Sequence, residues 1–147
     1  MRLLGTNCIS ADSNNANEII FVLKAIGNMG KQKAIPLIMD CVRQAPHVNI
    51  SVAAIQALRR MTLDGTIKNT LLEVFTERNH DLEKRMEAFL MLMKNPTEND
   101  IILARDVAND IEESVQLRSF LVSYLESAGR NRNPQDSRSV DIFRILL

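Results

Sequence analysis

Cysteine and histidine are the side chains that most often hold metals, attack bonds or cross-link chains, and this sequence has two of each: Cys8, Cys41, His47 and His80. A zinc centre needs three or four such ligands converging at bonding distance. Neither histidine has a second histidine or a closely spaced cysteine beside it in sequence, so both read as surface histidines in corresponding loops. The motifs of hydrolases, phosphate-binding loops and zinc peptidases are absent. Gly27-Asn28-Met29-Gly30 has two glycines, but it follows a helical pattern, whereas phosphate loops follow a strand. It reads as a helix end. The charged runs Glu83-Lys84-Arg85 and Glu112-Glu113 read as solvated helix faces. No set of residues forms a catalytic constellation. The chain is therefore read as a non-enzyme, with no cofactor and no metal site.

Two covalent features remain. Cys8 and Cys41 are either two buried thiols, the usual intracellular outcome, or a pair. A bridge would close a loop of about 33 residues, worth ~3–4 kcal/mol in the chain-entropy model. Asn49-Ile50-Ser51 matches the N-glycosylation triplet and falls between two expected helices, whereas Asn95-Pro96-Thr97 is excluded by its proline.

Whatever positions these residues is helical. Hydrophobic residues make up 46% of the chain and aromatics only 4%, with no Trp, so the core must be aliphatic. Leu and Ala favour helix and Met fills irregular gaps. Eighteen basic and eighteen acidic residues give zero formal charge, which argues against a nucleic-acid partner. No apolar run is long enough for a transmembrane segment. The first residues are too short and too little apolar for a secretory signal.

An apolar beat of about 32 residues runs through the chain. Ile26, Leu58, Leu90 and Val122 mark it, and Met29, Met61, Met93 and Leu125 come three residues later on the same helical face. Two helical runs per unit predict stacked helical hairpins, an all-α α-solenoid forming a superhelical arch, since one hairpin cannot bury its apolar face alone. The eight residues are expected to form one internal row. On that reading Leu58→Ala and Leu90→Ala would each cost ~2–5 kcal/mol.

The expected organisation is a loop over 1–16, a helical repeat domain over 17–129, a polar linker over 130–139 and the start of a further helix over 140–147. The first helix covers about 17–28, with Gly27 and Gly30 ending it. The second covers about 34–44, with Pro36 in its first turn. The third starts near Ser51, capped by Asn49 or Ser51. Asp64-Gly65 turns into the fourth, Asp81 caps the fifth, and Thr97 with Asp100 forms a capping box for the sixth. The seventh covers about 113–127 and ends at Gly129. The chain stops on Ile145-Leu146-Leu147 where a solenoid would carry a polar cap, so it reads as part of a longer protein.

Four runs in order carry a resemblance. Leu23 to Gly30 resembles a helix end of the large lipid transfer proteins, the family of apolipoprotein B, apolipophorin, vitellogenin and the microsomal triglyceride transfer protein. The stretches 53–61, 71–75 with 84–93, and 116–121 resemble the successive helices of the same family segment, so the likeness covers about residues 8–130. It implies the helical part of an N-terminal lipid-transfer module, a two-layered helical superhelix around lipid-binding β-sheets. It also implies that Cys8 and Cys41 are bridged and that the chain is secreted into an extracellular, oxidising setting.

The expected function is lipid transport, as a helical scaffold within a secreted lipoprotein of the apolipophorin or apolipoprotein B kind. Its partners would be lipid, through the full-length protein, and the β-sheet domains of the parent chain. Within the family the alternative is a vitellogenin yolk lipoprotein. Outside it, the rival is a free-standing helical-repeat module that binds proteins, which would need polar end caps and reduced cysteines.

Overall fold

Helix-starting and helix-stopping residues set the element order in the computed structural model of the chain, which describes Cys8, residues 15–45 and residues 47–130. Every regular element among the described residues is helical. Helix α1 spans Ala16–Met29, and a 3-10 turn, Gln32–Ala34, leads into α2, Ile35–Gln44. Helix α3, Val48–Ala57, runs on into a second 3-10 turn, Leu58–Arg60. Then come α4, Gly65–Thr76, α5, Leu82–Leu92, α6, Glu98–Asn109, and α7, Val115–Arg130. The chain divides into two compact units, Met1–Met91 and Leu92–Leu147. Most of the expected entry loop over 1–16, the linker over 130–139 and the further helix over 140–147 lie outside the described residues.

Local chemistry accounts for several boundaries. Gly30 closes α1 in the left-handed region at φ 62°, and its N–H donates to the Ile26 carbonyl. Pro36 sits in the first turn of α2, where no N–H is needed. The Asp64 carboxylate accepts from the Ile67 N–H at 2.9 Å, and the Asp81 carboxylate accepts from the Glu83 N–H at 2.9 Å. Thr97 and Asp100 form both bonds of the capping box.

Three boundaries differ from expectation. Helix α3 begins at Val48 rather than near Ser51, because extended His47 takes the cap position, and its side chain makes no cap bond. Neither Asn49 nor Ser51 is the cap. Helix α7 starts at Val115, two residues later than expected, and runs through Gly129 to Arg130. Gly27 does not end α1 but lies inside it, buried.

Gly27 is explained by packing. In the first unit α1 lays Ile19, Leu23 and Ile26 against α3, and α2 lays Ile38, Met39, Cys41 and Val42 against α3 from another side. Helix α3 is therefore buried nearly all round, with small residues Ala53, Ala54 and Ala57 letting the backbones approach. A methyl at Gly27 would lie 2.9 Å from the Ala57 Cα. That contact is backbone and cannot swing away. Gly27→Ala should therefore lower stability by about 1–3 kcal/mol, as overpacked cores do. Urea denaturation checks this; a midpoint equal to wild type would remove the close-approach argument.

Polar ties join the same elements across 30 to 32 residues of sequence. The Arg59 guanidinium donates to the Asn28 side-chain oxygen, and Arg60 Nη1 donates to the Asn28 carbonyl at 2.7 Å. Gln32 donates its amide to the Thr62 carbonyl at 2.7 Å and accepts the Thr62 N–H at 3.1 Å. Because both bonds are made by one planar amide, they fix the two loops in register as well as in distance. Further along, Gln56 Nε2 donates to Glu87 Oε1 at 3.1 Å.

Candidate functional site

The sequence offered one covalent choice, and the structure makes it. Cys8 and Cys41 are bridged, with Cα atoms 5.2 Å apart and a sequence separation of 33. Cys41 lies in α2 among Ile38, Met39 and Val42, and both sulfurs are buried. The bridge pins the segment before α1 to the second helix. No cysteine of the chain is left as a thiol.

The Cys41 carbonyl takes part in a second arrangement that recurs. It accepts the Ser51 hydroxyl at 3.4 Å. The Phe75 carbonyl accepts Arg85 Nε at 2.8 Å, and the Ala108 carbonyl accepts Arg118 Nε at 3.2 Å. Each donor is the fourth residue of its helix, and each acceptor lies in the last turn of the helix before. Those last carbonyls lack intrahelical partners and carry the negative end of the helix dipole. A cationic donor answers both needs, so Arg85 and Arg118 act as tertiary C-caps. We call the arrangement a clasp.

This corrects the reading of Glu83-Lys84-Arg85 as a solvated face. Glu83 is exposed, but Lys84 and Arg85 are buried. Burial holds the Lys84 ammonium below the usual lysine range. His80, in the loop before α5, is held below the ordinary histidine value by burial and by the positive charge of Lys84, with Glu77 opposing and Arg85 adding. Glu113 is likewise buried, while its neighbour Glu112 is exposed. Sequence pattern missed these residues because a charge beside a charge looks solvated. The available signal was the recurrence of a polar residue at the fourth position of alternate helices.

Replacing Arg85 by methionine keeps most of the buried stem and removes the donor. The Phe75 carbonyl then loses a charge-assisted bond in a buried place, and a loss of about 1.5–3 kcal/mol is expected in chemical denaturation. An unchanged midpoint would make the clasp ornamental.

The expected internal row is only partly internal. Ile26, Leu58, Met61, Met93 and Leu125 are buried. Met29, Leu90 and Val122 are 58%, 36% and 42% exposed, which corrects the expectation for those three. Register is the reason. The clasps step from Ser51 to Arg85 to Arg118, so equivalent positions lie 34 and then 33 residues apart. A 32-residue step falls short, and each residue of error turns a helix position by about 100°. On the clasp register Leu58 is followed by Leu92 and Leu125, and Ala54 by Ala88 and Leu121, all buried. Met29 is the last residue of α1.

Asn49 is exposed, as a glycan acceptor would have to be, but it lies in the first turn of α3 rather than between helices. The Ser51 of its triplet is buried and engaged with Cys41. His47 is exposed and His80 half-buried. Among the described residues no group of three His, Cys, Asp or Glu side chains gathers as a metal site, and no helix is long and apolar enough to cross a membrane. The arrangement is suited to holding helices in fixed register. Its chemistry is one cross-link and a set of charge-assisted caps.

Comparison with known proteins fits that geometry. The family model described as the Vitellogenin TPR domain matches residues 6–126. Apolipoprotein B-100 of Rattus norvegicus is 29% identical over 134 residues, which cover 85% of this chain and 3% of that protein. The apolipophorins of Drosophila melanogaster are 26% identical over 129 residues, 82% of this chain and 4% of theirs. A vitellogenin of Acipenser transmontanus is 27% identical over 128 residues, 81% of this chain and 8% of its own. The chain thus spans a small part of each relative's length. No solved structure gives a significant match.

Proposed function

The chain belongs to the Vitellogenin TPR domain family, and on that premise we propose that it is a stretch of the helical scaffold of a secreted lipid carrier of the apolipophorin or apolipoprotein B kind. The observation that carries this reading is the family match over residues 6–126. It spans the Cys8–Cys41 bridge and all three clasps. The named relatives are an apolipoprotein, apolipophorins and a vitellogenin. A buried disulfide favours an oxidising, extracellular setting, because cytosolic thiols are kept reduced.

The work assigned to these residues is mechanical. Successive helical hairpins stack as an α-solenoid, and bonds spanning 30 to 32 residues support that stacking. The arch so formed would hold the parent protein's β-sheet domains around lipid. Lipid is held by burial of apolar surface from water, and no bond is made or broken. The charge balance and the aliphatic core suit a scaffold, and no residue here is assigned to contact the lipid itself. A vitellogenin-like yolk role rests on the same features.

The test is to express the protein from its own gene in secretory cells and extract what leaves them. The expected result is protein in the medium, with Cys8 bridged to Cys41 and lipid co-purifying in proportion to protein. Protein retained in the cytosol with two free thiols and no lipid would instead favour the protein-binding helical module.

A further inference from the structure

Helix α3 is the most buried helix of the first unit, and only Asn49 and Gln56 along it are exposed. Seven residues is close to two turns, so the pair marks one solvent-facing edge. Gln56 has a partner on that edge, the Glu87 carboxylate. Asn49 instead opens Asn49-Ile50-Ser51, the only Asn-x-Ser/Thr triplet of the chain without a proline at its centre. Two residues along a helix is a turn of about 200°, so Ser51 faces the other way. It is 2% exposed, and its hydroxyl donates to the Cys41 carbonyl at 3.4 Å. Cys41 is in turn bridged to Cys8. The triplet is therefore split by the fold: its asparagine faces water, and its serine is locked against the disulfide-bonded helix.

We propose that Asn49 carries an N-linked oligosaccharide, transferred in the secretory pathway before α2 and α3 close over Ser51. The donor is an oligosaccharide on a polyprenyl diphosphate, used by the membrane transferase of secretory cells. Asn49 Nδ2 attacks the anomeric carbon of the first sugar. The carbon–nitrogen bond forms, the bond from that carbon to the diphosphate oxygen breaks, and the polyprenyl diphosphate leaves. Nδ2 gives up one proton to a base of the transferase, and nothing is oxidised or reduced. The transferase reads the hydroxyl of the third residue and takes the triplet extended. The folded chain meets neither condition, because the triplet is helical and the Ser51 hydroxyl is buried. The finished fold can thus hold a glycan at Asn49 but cannot receive one. Order of synthesis sharpens the point. Cys8 and Cys41 are both made before Asn49, and chains fold from the N-terminus as they emerge, so the interval for transfer is short. A glycan is bulky and needs solvent, so it keeps the Asn49 edge of α3 clear of the parent protein's β-sheet domains.

The inference rests on the secreted-carrier reading, and one experiment separates the two. Protein expressed from its own gene in secretory cells is taken from the medium, cut with trypsin and treated with peptide-N-glycosidase in heavy-oxygen water. The peptide from Gln44 to Arg59 should then carry heavy oxygen in an acid at position 49, the mark of an amide that held a glycan. Ser51→Ala keeps the amide and removes the hydroxyl, and it should lose the mark. Transfer precedes folding, so a folding defect in that variant cannot imitate the loss. In pulse-labelled cells the modified fraction should be complete by the end of the pulse. Secreted protein with an unmarked peptide would overturn this inference and leave the carrier reading standing. Protein held in the cytosol with free thiols would overturn both. A mark that survives Ser51→Ala would show loss of the amide by another route, and a modified fraction that grows during the chase would show transfer to the folded chain. Either result also overturns the inference.

Discussion

Removing the Cys8–Cys41 bridge should be the most damaging covalent change the chain can suffer, at about 3–4 kcal/mol. The pair Cys8→Ala with Cys41→Ala is the clean version, because it leaves no lone thiol in the core. The estimate comes from loop closure. The bridge joins residues 33 apart, and without it the unfolded chain regains the freedom of that loop. A loss of this size should lower the melting temperature by roughly 10 °C for a chain of this length. Dithiothreitol on the wild type should give a matching shift, since it removes the same constraint. Both Cys residues lie in the unit Met1–Met91, so protection from hydrogen exchange should fall in α1 to α3 and stay unchanged in α6 and α7. Equal melting curves for oxidised and reduced protein would show that packing alone holds the entry segment. They would also remove the thermodynamic reason for an oxidising compartment.

Much of this was legible from residue order. Asp64, Asp81 and the Thr97–Asp100 pair announced helix starts by short-range bonds, and such bonds depend only on neighbours. Gly30 announced an end for the same reason. Gly27 is ambiguous in sequence because glycine has two uses, and only the approach of Ala57 shows which applies. Arg85 looks solvated in sequence because its burial depends on the end of a helix ten residues earlier. A pattern of polar residues on one helix cannot report that. The pairing of Cys8 with Cys41 was open from spacing and composition, and the family resemblance favoured it. The proposed function rests on the resemblance as well. Periodicity could point to stacked hairpins but not to lipid.

The interior row offers the sharpest contrast, because two leucines that looked equivalent should behave differently. Leu58 is fully buried in the 3-10 turn after α3, which packs on α1. Leu58→Ala removes buried methyl groups and leaves a cavity that close-packed neighbours cannot fill, at about 3–5 kcal/mol. Leu90 is 36% exposed. Part of its side chain already meets water, so Leu90→Ala gives up less transfer energy and opens no closed cavity. Its cost should stay below about 1.5 kcal/mol. Leu92, the position that the clasp register matches to Leu58, is 2% exposed and should again be expensive on truncation. The three variants therefore decide between two registers. A 32-residue register ranks Leu58 with Leu90. The register drawn by Ser51, Arg85 and Arg118 ranks Leu58 with Leu92. Urea midpoints for the three proteins separate them, and equal losses at Leu58 and Leu90 would return the row to the shorter period. On the proposed scaffold reading the difference bears on function, because a stack of helices must place its apolar seam on the correct face of every helix. One residue of error turns that seam by about 100°.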